Sequence, residues 1–116
     1  MNIRLEYQYR DAGNYKNWGE IVFSNPRNLV PEVVTEMAEE VLIEREFFVA
    51  SGARVPDLHF SDWDPDLDHD WHEFVAFRST GDAPSDPDQR AIEDFVDSLR
   101  SASNTAVRSP QWPWRL

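Results

Sequence analysis

The alternation of apolar and polar side chains in residues 3–9 constrains the fold of this chain more than any other feature. Apolar or aromatic residues occupy every second position of IRLEYQY, and Arg, Glu and Gln stand between them. Because successive side chains of a β-strand point to opposite faces, this pattern predicts a strand with one buried face. The turn-forming stretch DAGNYKN follows, and then the apolar run 21–23. The sequence therefore predicts an antiparallel hairpin with a loop longer than two residues.

A first helix is predicted within residues 25–45. Asn28 is a suitable N-cap, and Pro31 suits the first turn because its missing N–H is not needed there. Glutamates at three- to four-residue spacing predict a solvated outer face. The buried stripe is expected from apolar residues with helical periodicity, namely Val33, Val34, Met37, Val41 and Leu42.

Two further strands are predicted after this helix. The apolar segment 46–52 indicates a short buried strand, and residues 56–60 are assigned to an optional extended piece. The segment 71–79 alternates again and predicts a strand with two usable faces. Its alternation places Trp71, Glu73, Val75 and Phe77 on one face and His72, Phe74, Ala76 and Arg78 on the other.

A second helix is predicted to begin at Pro87, with Ser85 or Asp86 as its cap, and to end within residues 101–104. Its apolar stripe consists of Ile92, Phe95, Val96 and Leu99. The element order ββαβ(β)βα indicates an α+β fold, an antiparallel sheet with two helices packed on one face. At 116 residues the chain has the size of one domain, predicted over 1–104. The tail 105–116 has no periodicity. It is expected either to dock on the domain through Trp112 and Trp114 or to remain unattached.

The charge is strongly negative, at −11, and this bounds the choice of partners. Nucleic acid is excluded as a direct ligand because its binding needs cationic groups. A basic protein surface is the natural partner, since opposite potentials steer association. The alternative is that the acids only keep a small protein soluble. The chain has no cysteine, its N-terminus is polar, and it has no apolar run of membrane-spanning length. It is therefore predicted to be cytoplasmic, with no membrane partner.

The stretch SDWDPDLDHDWHEF, residues 61–74, is the densest acidic run. Counted from Asp62, carboxylates recur at every second position and Glu73 stands at position twelve, which is the spacing of a calcium-binding EF-hand loop. Leu67 replaces the required glycine, Pro65 stiffens the loop, and the flanking helices are missing. We therefore predict no metal site, and a divalent-cation-binding regulatory domain that uses Asp62–Glu73 remains the alternative function.

The three histidines lie within or just before this run. His59, His69 and His72 offer zinc-ligating nitrogens. Asp68, His69, Asp70 and His72 converge only if the chain is helical there, which an Asp- and Pro-rich segment argues against. Each histidine is expected instead to bond a neighbouring carboxylate, which would raise its pKa. No phosphate-binding loop, GxSxG or HExxH pattern is present. The sequence thus predicts a protein that is not an enzyme, with no catalytic residues and no cofactor.

Aromatic residues interleaved with acids indicate a binding surface, because aromatic anchors supply affinity and charges supply orientation. Trp63, between two aspartates, is expected to be at least partly exposed, whereas Trp71 and Phe74 are assigned to the core. The polar and aromatic loop 10–18 is a second recognition element. Alternatively, Tyr15 and Trp18 pack over the open end of the sheet. The predicted partner-binding residues are Asp62, Trp63, Asp64, Asp66, Asp68, Asp70, Tyr15 and Trp18.

Two stretches carry a resemblance. YRDAGNYKNWGEIVFSN (residues 9–25) and DLDHDWHEF (residues 66–74), with FFVA between them, resemble a group of small, acidic, largely uncharacterised proteins of bacteria and their mobile elements. The resemblance covers roughly residues 3–100 and assigns no catalytic residue. In size, acidity and lack of catalytic motifs the chain is also similar in type to phage anti-defence proteins, including anti-CRISPR proteins.

This second likeness implies a stoichiometric inhibitor that covers a basic surface of a nucleic-acid-handling protein, such as a nuclease or nucleic-acid-binding subunit of a defence complex. Together with the acidic charge, it makes a non-enzymatic, acidic protein-binding module the predicted function. The oligomeric state is left open.

Overall fold

The structure is a computed structural model that describes residues 1–64 and 69–107, with side chains described up to Ser103. It confirms the predicted α+β class with one antiparallel four-stranded sheet. The spatial order of the strands is β2-β1-β4-β3. The elements are β1 (Asn2–Arg10), β2 (Lys16–Phe23), α1 (Pro31–Glu39), β3 (Phe47–Val49), α2 (Ala50–Ala53), β4 (Trp71–Thr80) and α3 (Ile92–Val107).

The predicted hairpin is confirmed as β1 and β2. The two strands pair without interruption from Ile3 opposite Phe23 to Arg10 opposite Lys16. A loop longer than two residues closes the hairpin, as predicted. In that loop the Asp11 carboxylate accepts the Tyr15 backbone N–H at 2.8 Å. Asn14 has a left-handed φ of 70°, which asparagine tolerates better than most residues.

A β-bulge in β4 changes the faces predicted for residues 71–79. Tyr7 lies opposite Phe74, whereas its neighbour Glu6 lies opposite Ala76, so Val75 is the additional residue. The bulge shifts the alternation by one position. Phe74 and Phe77 therefore pack together, with ring centroids 5.0 Å apart, and the prediction that they face opposite sides is wrong.

The core lies between one face of the sheet and the helices. The stripe predicted for the second helix is confirmed, since Ile92, Phe95, Val96 and Leu99 are all buried. The Phe95 ring stacks on Phe23 of β2 at 4.4 Å between centroids. On α1 the buried side chains are Val34 and Ala38, and Leu42 beyond the helix is also buried. Val33 is 41% exposed, so its assignment to the buried stripe is wrong, and the neighbouring Val34 is buried instead.

Both long helices begin later than predicted. The residue preceding α1 is Val30 rather than Asn28. Asn28 instead has a φ of 51° in a turn where the Asn25 side chain accepts the Leu29 N–H at 3.0 Å. Helix α3 begins at Ile92 rather than Pro87 and extends to Val107, past the predicted domain end at 104. The rest of the predicted tail lies outside the described residues.

The region between α1 and β4 is less extended than predicted. Strand β3 ends at Val49, and the chain turns at once into the single-turn helix α2, so residues 1–64 and 69–107 contain three helices rather than the predicted two. Residues 56–60 form no strand. A Cβ atom on Gly52 would lie 2.9 Å from the Ala102 Cβ, so glycine permits the close packing of α2 on α3.

A buried ion pair joins α2 to the start of α3. The Asp86 carboxylate accepts hydrogen bonds from Arg90 Nε at 2.8 Å and from Arg90 Nη2 at 2.9 Å. The same guanidinium donates to the carbonyls of Ala53 and Arg54 at 2.6 and 2.8 Å. It also lies over the Phe23 and Phe95 rings, at 5.5 and 5.4 Å from their centroids. Asp86, predicted as a helix cap, therefore neutralises a buried arginine instead.

In the described part of the chain, no helix is both long enough and apolar enough to cross a membrane.

Candidate functional site

The acidic lobe, which we define as residues 57–64 and 69–70, packs against the loop end of the hairpin. The Tyr9 hydroxyl donates to the His69 carbonyl at 2.8 Å. His69 Nε2 lies 2.7 Å from the Arg10 carbonyl. On the other strand, the Asn17 side chain donates to the Leu58 carbonyl at 3.1 Å. Because these bonds join the lobe to both β1 and β2, the acidic run and the hairpin loop adjoin each other.

All three histidines of the chain gather around the buried Tyr9 ring. The centroid distances from Tyr9 are 4.6 Å to His59, 5.2 Å to His69 and 5.2 Å to His72. This clustering around Tyr9 was not predicted. The narrower expectation that Asp68, His69, Asp70 and His72 do not converge stays a prediction, since Asp68 lies outside the described residues. The three histidines approach one another because β4 pairs with β1 and the lobe folds back over the same end of the sheet.

His59 lies between two carboxylates and against an indole. Its Nδ1 is 2.9 Å from Asp57 Oδ2, and its Nε2 is 3.1 Å from Asp70 Oδ1. The second contact has the distance of an ion pair but not the angle of a hydrogen bond. The Trp63 ring stacks on the imidazole at 4.5 Å with an interplanar angle of 10°. Burial raises the pKa of Asp70, and Asp57 adds to this effect, whereas His59 opposes it.

His72 is fully buried beneath His59, and its tautomer follows from its contacts. Its Nε2 accepts the Leu58 backbone N–H at 3.0 Å, so this nitrogen carries the lone pair. Its Nδ1 lies 3.3 Å from the Asp70 carbonyl and carries the proton. Burial, with the nearby His59 charge, lowers the pKa of His72 to about 4. The expectation that neighbouring carboxylates raise the histidine pKa is therefore wrong for His72.

Asp57 connects the two imidazoles. Its Oδ1 is 3.6 Å from His72 Nε2, and its Oδ2 faces His59. Among the residues that the structure describes, Asp57, His59 and His72 form a group whose potential metal-ligating atoms all lie within 4.8 Å of one another. Asp57 and His59 were not predicted as site residues. Only the concentration of histidine and aspartate in residues 57–72 hinted at them.

The two aromatic residues predicted in the hairpin loop region are exposed. Tyr15 is 71% exposed and Trp18 is 60% exposed, so they do not pack over the end of the sheet. Trp18 also borders a shallow pocket that is lined by Glu6, Gly19 and Glu20. The side chains predicted for recognition are therefore available to a partner on this hairpin.

The other predicted binding residues lie on the acidic lobe. Trp63 is partly exposed, as predicted, and its indole N–H donates to the His69 carbonyl at 3.1 Å. Asp62 is exposed, whereas Asp64 and Asp70 are partly buried. Asp66 and Asp68 lie outside the described residues, so their predicted role stays a prediction.

Three residues at the start of β4 bear on the predicted core and on the calcium-like spacing. Phe74 packs against the core as predicted, but Trp71 is half-buried against the Phe47 ring, with centroids 5.6 Å apart. Glu73, the twelfth position of the calcium-like spacing, is bound by Arg10, with Nε 3.0 Å from Oε2. The carboxylate needed as the bidentate calcium ligand thus already has a cationic partner.

Comparison with known proteins adds no assignment: the sequence matches no protein-family model, and neither a curated protein nor a solved structure is significantly similar to it. The site is therefore interpreted from its own geometry.

Proposed function

We propose that this chain is a non-enzymatic binding module that engages a basic protein with the hairpin end and the adjoining acidic lobe. The observation that carries the proposal is the exposure of Tyr15 and Trp18, at 71% and 60%, on a hairpin whose strands also hold a lobe rich in aspartate. Large aromatic side chains are frequent anchors of protein interfaces. In a chain of net charge −11, the surrounding acids favour a cationic partner.

The strands that carry these anchors are fully paired, which suits recognition. The hairpin pairs in register along its whole length, and the lobe is hydrogen-bonded to both of its strands. A surface that is ordered before binding loses less conformational entropy when the complex forms. The hairpin end therefore presents Tyr15 and Trp18 without a prior folding step.

The pocket beside Trp18 suits a lysine or arginine side chain of the partner. Glu6 and Glu20 line it together with the indole, which attracts cations through its ring face. Glu6 already has two cationic partners, since Arg4 Nε lies 3.2 Å from its Oε2 and Arg78 Nε lies 3.0 Å from its Oε1. Glu20 is 67% exposed and only 3.8 Å from Arg4 Nε, and an ion pair that is open to solvent contributes little, so a partner's cation can replace Arg4 beside Glu20 at small cost.

In its most concrete form, the module is a stoichiometric inhibitor of the anti-defence type that covers the basic surface of a nucleic-acid-handling protein. The net charge and the likeness in type to anti-CRISPR proteins support this form. A partner that binds DNA or RNA carries a cationic surface, and an acidic protein placed on that surface excludes the phosphate backbone. Inhibition then requires binding alone and no catalytic group.

The test is affinity capture from a bacterial lysate at low and high salt. We compare the wild type with Tyr15→Ser/Trp18→Ser and with Asp62→Asn/Asp64→Asn. The matched control is Glu36→Gln/Glu40→Gln, which makes the same charge change on exposed residues of the α1 region. The proposal predicts a basic nucleic-acid-binding protein that is captured at low salt by wild type and control and is lost with both site variants. Equal capture by all four proteins, or no such partner at either salt, contradicts it.

A further inference from the structure

We propose that Asp57, His59 and His72 bind one Zn²⁺ ion beneath the acidic lobe. The inference is independent of the proposed protein-binding function. It rests on a convergence of nitrogen and oxygen donors from two parts of the chain. Asp57 and His59 belong to the lobe, whereas His72 belongs to β4, so the site joins the lobe to the sheet.

The donor atoms are spaced nearly as a tetrahedral zinc site requires. Zinc binds imidazole nitrogen and carboxylate oxygen at about 2.0–2.2 Å, which places neighbouring donor atoms about 3.3 Å apart. His59 Nδ1 is 2.9 Å from Asp57 Oδ2, and His72 Nε2 is 3.6 Å from Asp57 Oδ1. These two contacts use different oxygens of Asp57, and all three donors lie within 4.8 Å of one another, so the imidazoles approach each other by up to about 1.5 Å when the ion binds.

The far side of the His72 ring is arranged as that of a metal-bound histidine usually is. Such histidines donate their second ring N–H to a carboxylate or a backbone carbonyl, which fixes the tautomer and directs the lone pair at the metal. His72 Nδ1 faces the Asp70 carbonyl at 3.3 Å. His59 Nε2 lies 3.1 Å from the Asp70 carboxylate without the angle of a hydrogen bond, so the ring or the carboxylate has to turn to complete the same contact. Asp70 has an oxygen near each ring and is the predicted positioning residue of the site.

The two imidazole donors and their surroundings favour Zn²⁺ over Ca²⁺ or Mg²⁺, which prefer sites made of oxygen ligands. His72 is fully buried, and the Asp57 side chain is 56% exposed, so the carboxylate opens a route from solvent to the buried nitrogen. In the metal-free state the Nε2 lone pair of His72 accepts the Leu58 N–H, at 3.0 Å. The ion replaces this hydrogen bond.

Three protein ligands leave one tetrahedral position for water or for a side chain of a partner. Since the ligands come from the lobe and from β4, binding of the ion fixes the lobe against the sheet. The lobe of the metal-free protein is therefore expected to exchange its amide hydrogens faster than the lobe of the zinc-bound protein.

The experiment is isothermal titration of the full chain with Zn²⁺, after treatment with a chelator. We expect one ion per chain, and a Co²⁺ derivative with the visible absorption of a tetrahedral site. Asp57→Asn changes an exposed ligand and preserves the fold, and it is expected to weaken Zn²⁺ binding at least tenfold. Asp70→Asn is expected to weaken it about 10- to 100-fold, as loss of a positioning residue does. His72→Gln tests the buried ligand but is informative only if circular dichroism shows a folded protein.

The matched control is Asp62→Asn, which removes one exposed negative charge from the same lobe without touching the cluster. It is expected to bind Zn²⁺ as the wild type does. No binding by the wild type overturns the proposal. Equal weakening in Asp57→Asn and Asp62→Asn also overturns it, because the ion is then held by the general negative charge. Either failure leaves the capture experiment on Tyr15 and Trp18 unaffected.

Discussion

Removal of the Asp86 carboxylate tests the packing of α2 and α3 against the sheet. Asp86→Asn keeps the shape of the side chain but removes the charge that neutralises Arg90. The change weakens three hydrogen bonds that the carboxylate accepts. Two come from the Arg90 guanidinium, at 2.8 and 2.9 Å, and one comes from the Arg90 backbone N–H, at 2.9 Å. The side chain of Asp86 is fully buried and that of Arg90 is 5% exposed, so water cannot replace the lost partner.

The expected loss of stability is large. Breaking a buried ion pair by removing one partner costs about 3–5 kcal/mol, because an uncompensated charge stays in the interior. A domain of this size has a total stability of roughly 5–15 kcal/mol, so Asp86→Asn removes a substantial share. Arg90→Met/Asp86→Asn is expected to be less destabilised than the sum of the two single variants, since no unpaired arginine remains.

The assay is urea unfolding at pH 7, followed by circular dichroism and tryptophan fluorescence. The control is Asp97→Asn, which breaks the exposed pair with Arg100, at 2.7 Å, and is expected to change stability by less than about 1 kcal/mol. A loss below about 1 kcal/mol for Asp86→Asn, or additive effects in the double variant, would refute the reasoning.

The same pair predicts a pH dependence. Burial alone would raise the pKa of Asp86, but the hydrogen bonds and charge of Arg90 outweigh it and hold the pKa below its usual value. A carboxyl group with a lowered pKa contributes stability above its unfolded pKa of about 4 and loses it as the pH falls through the folded value. The acid limb of the stability curve is therefore expected to be shallower in Asp86→Asn than in the wild type.

Three further perturbations have defined outcomes. In metal-free protein kept in chelator, His72 has a pKa of about 4 in the folded chain against a usual 6.5, so the unfolded chain takes up the proton first. The free energy of unfolding is therefore expected to fall by about 3 kcal/mol as the pH is lowered from 6.5 to 4. His72→Gln should lack this contribution in urea titrations, and an equal pH dependence of stability in variant and wild type would contradict it. Gly52→Ala should cost about 1–3 kcal/mol by thermal unfolding, since its Cβ meets Ala102 at 2.9 Å, whereas the exposed neighbouring change Ser51→Ala should be nearly neutral. Trp18→Ser should leave the melting temperature nearly unchanged, because the indole is 60% exposed, and a large decrease would show that Trp18 is structural.

The hairpin and the buried stripe of α3 could be predicted because their signals are local. Alternation at period two and apolar spacing at three to four residues are properties of a single segment. The bulge at Val75 is different, since it depends on how β4 meets β1, and the alternation of residues 71–79 contains no sign of it. The start of α3 could not be predicted for a similar reason, because Asp86 pairs with Arg90 rather than capping the first turn.

The candidate site was only partly predictable for the same reason. The acidic character of residues 57–70 and the polar, aromatic composition of the loop 10–18 are visible in the sequence. The convergence of three histidines on Tyr9 requires contacts between residues as far apart as 60 positions, such as Tyr9 and His69. A single sequence carries no signal for such pairing. Asp57 stood outside the acidic run that drew attention, yet it contacts both His59 and His72.

The most direct test of the proposed function is photo-crosslinking from a photoreactive amino acid introduced at position 16, which leaves both aromatic anchors in place, compared with the same residue at position 33. Lys16 and Val33 are both exposed, but Lys16 lies on the hairpin and Val33 on α1. In a bacterial lysate at low salt, we expect a crosslink to a basic nucleic-acid-binding protein from position 16 and none from position 33. An equal crosslink from both positions, or one from position 33 alone, would contradict the assignment of the hairpin end as the binding surface.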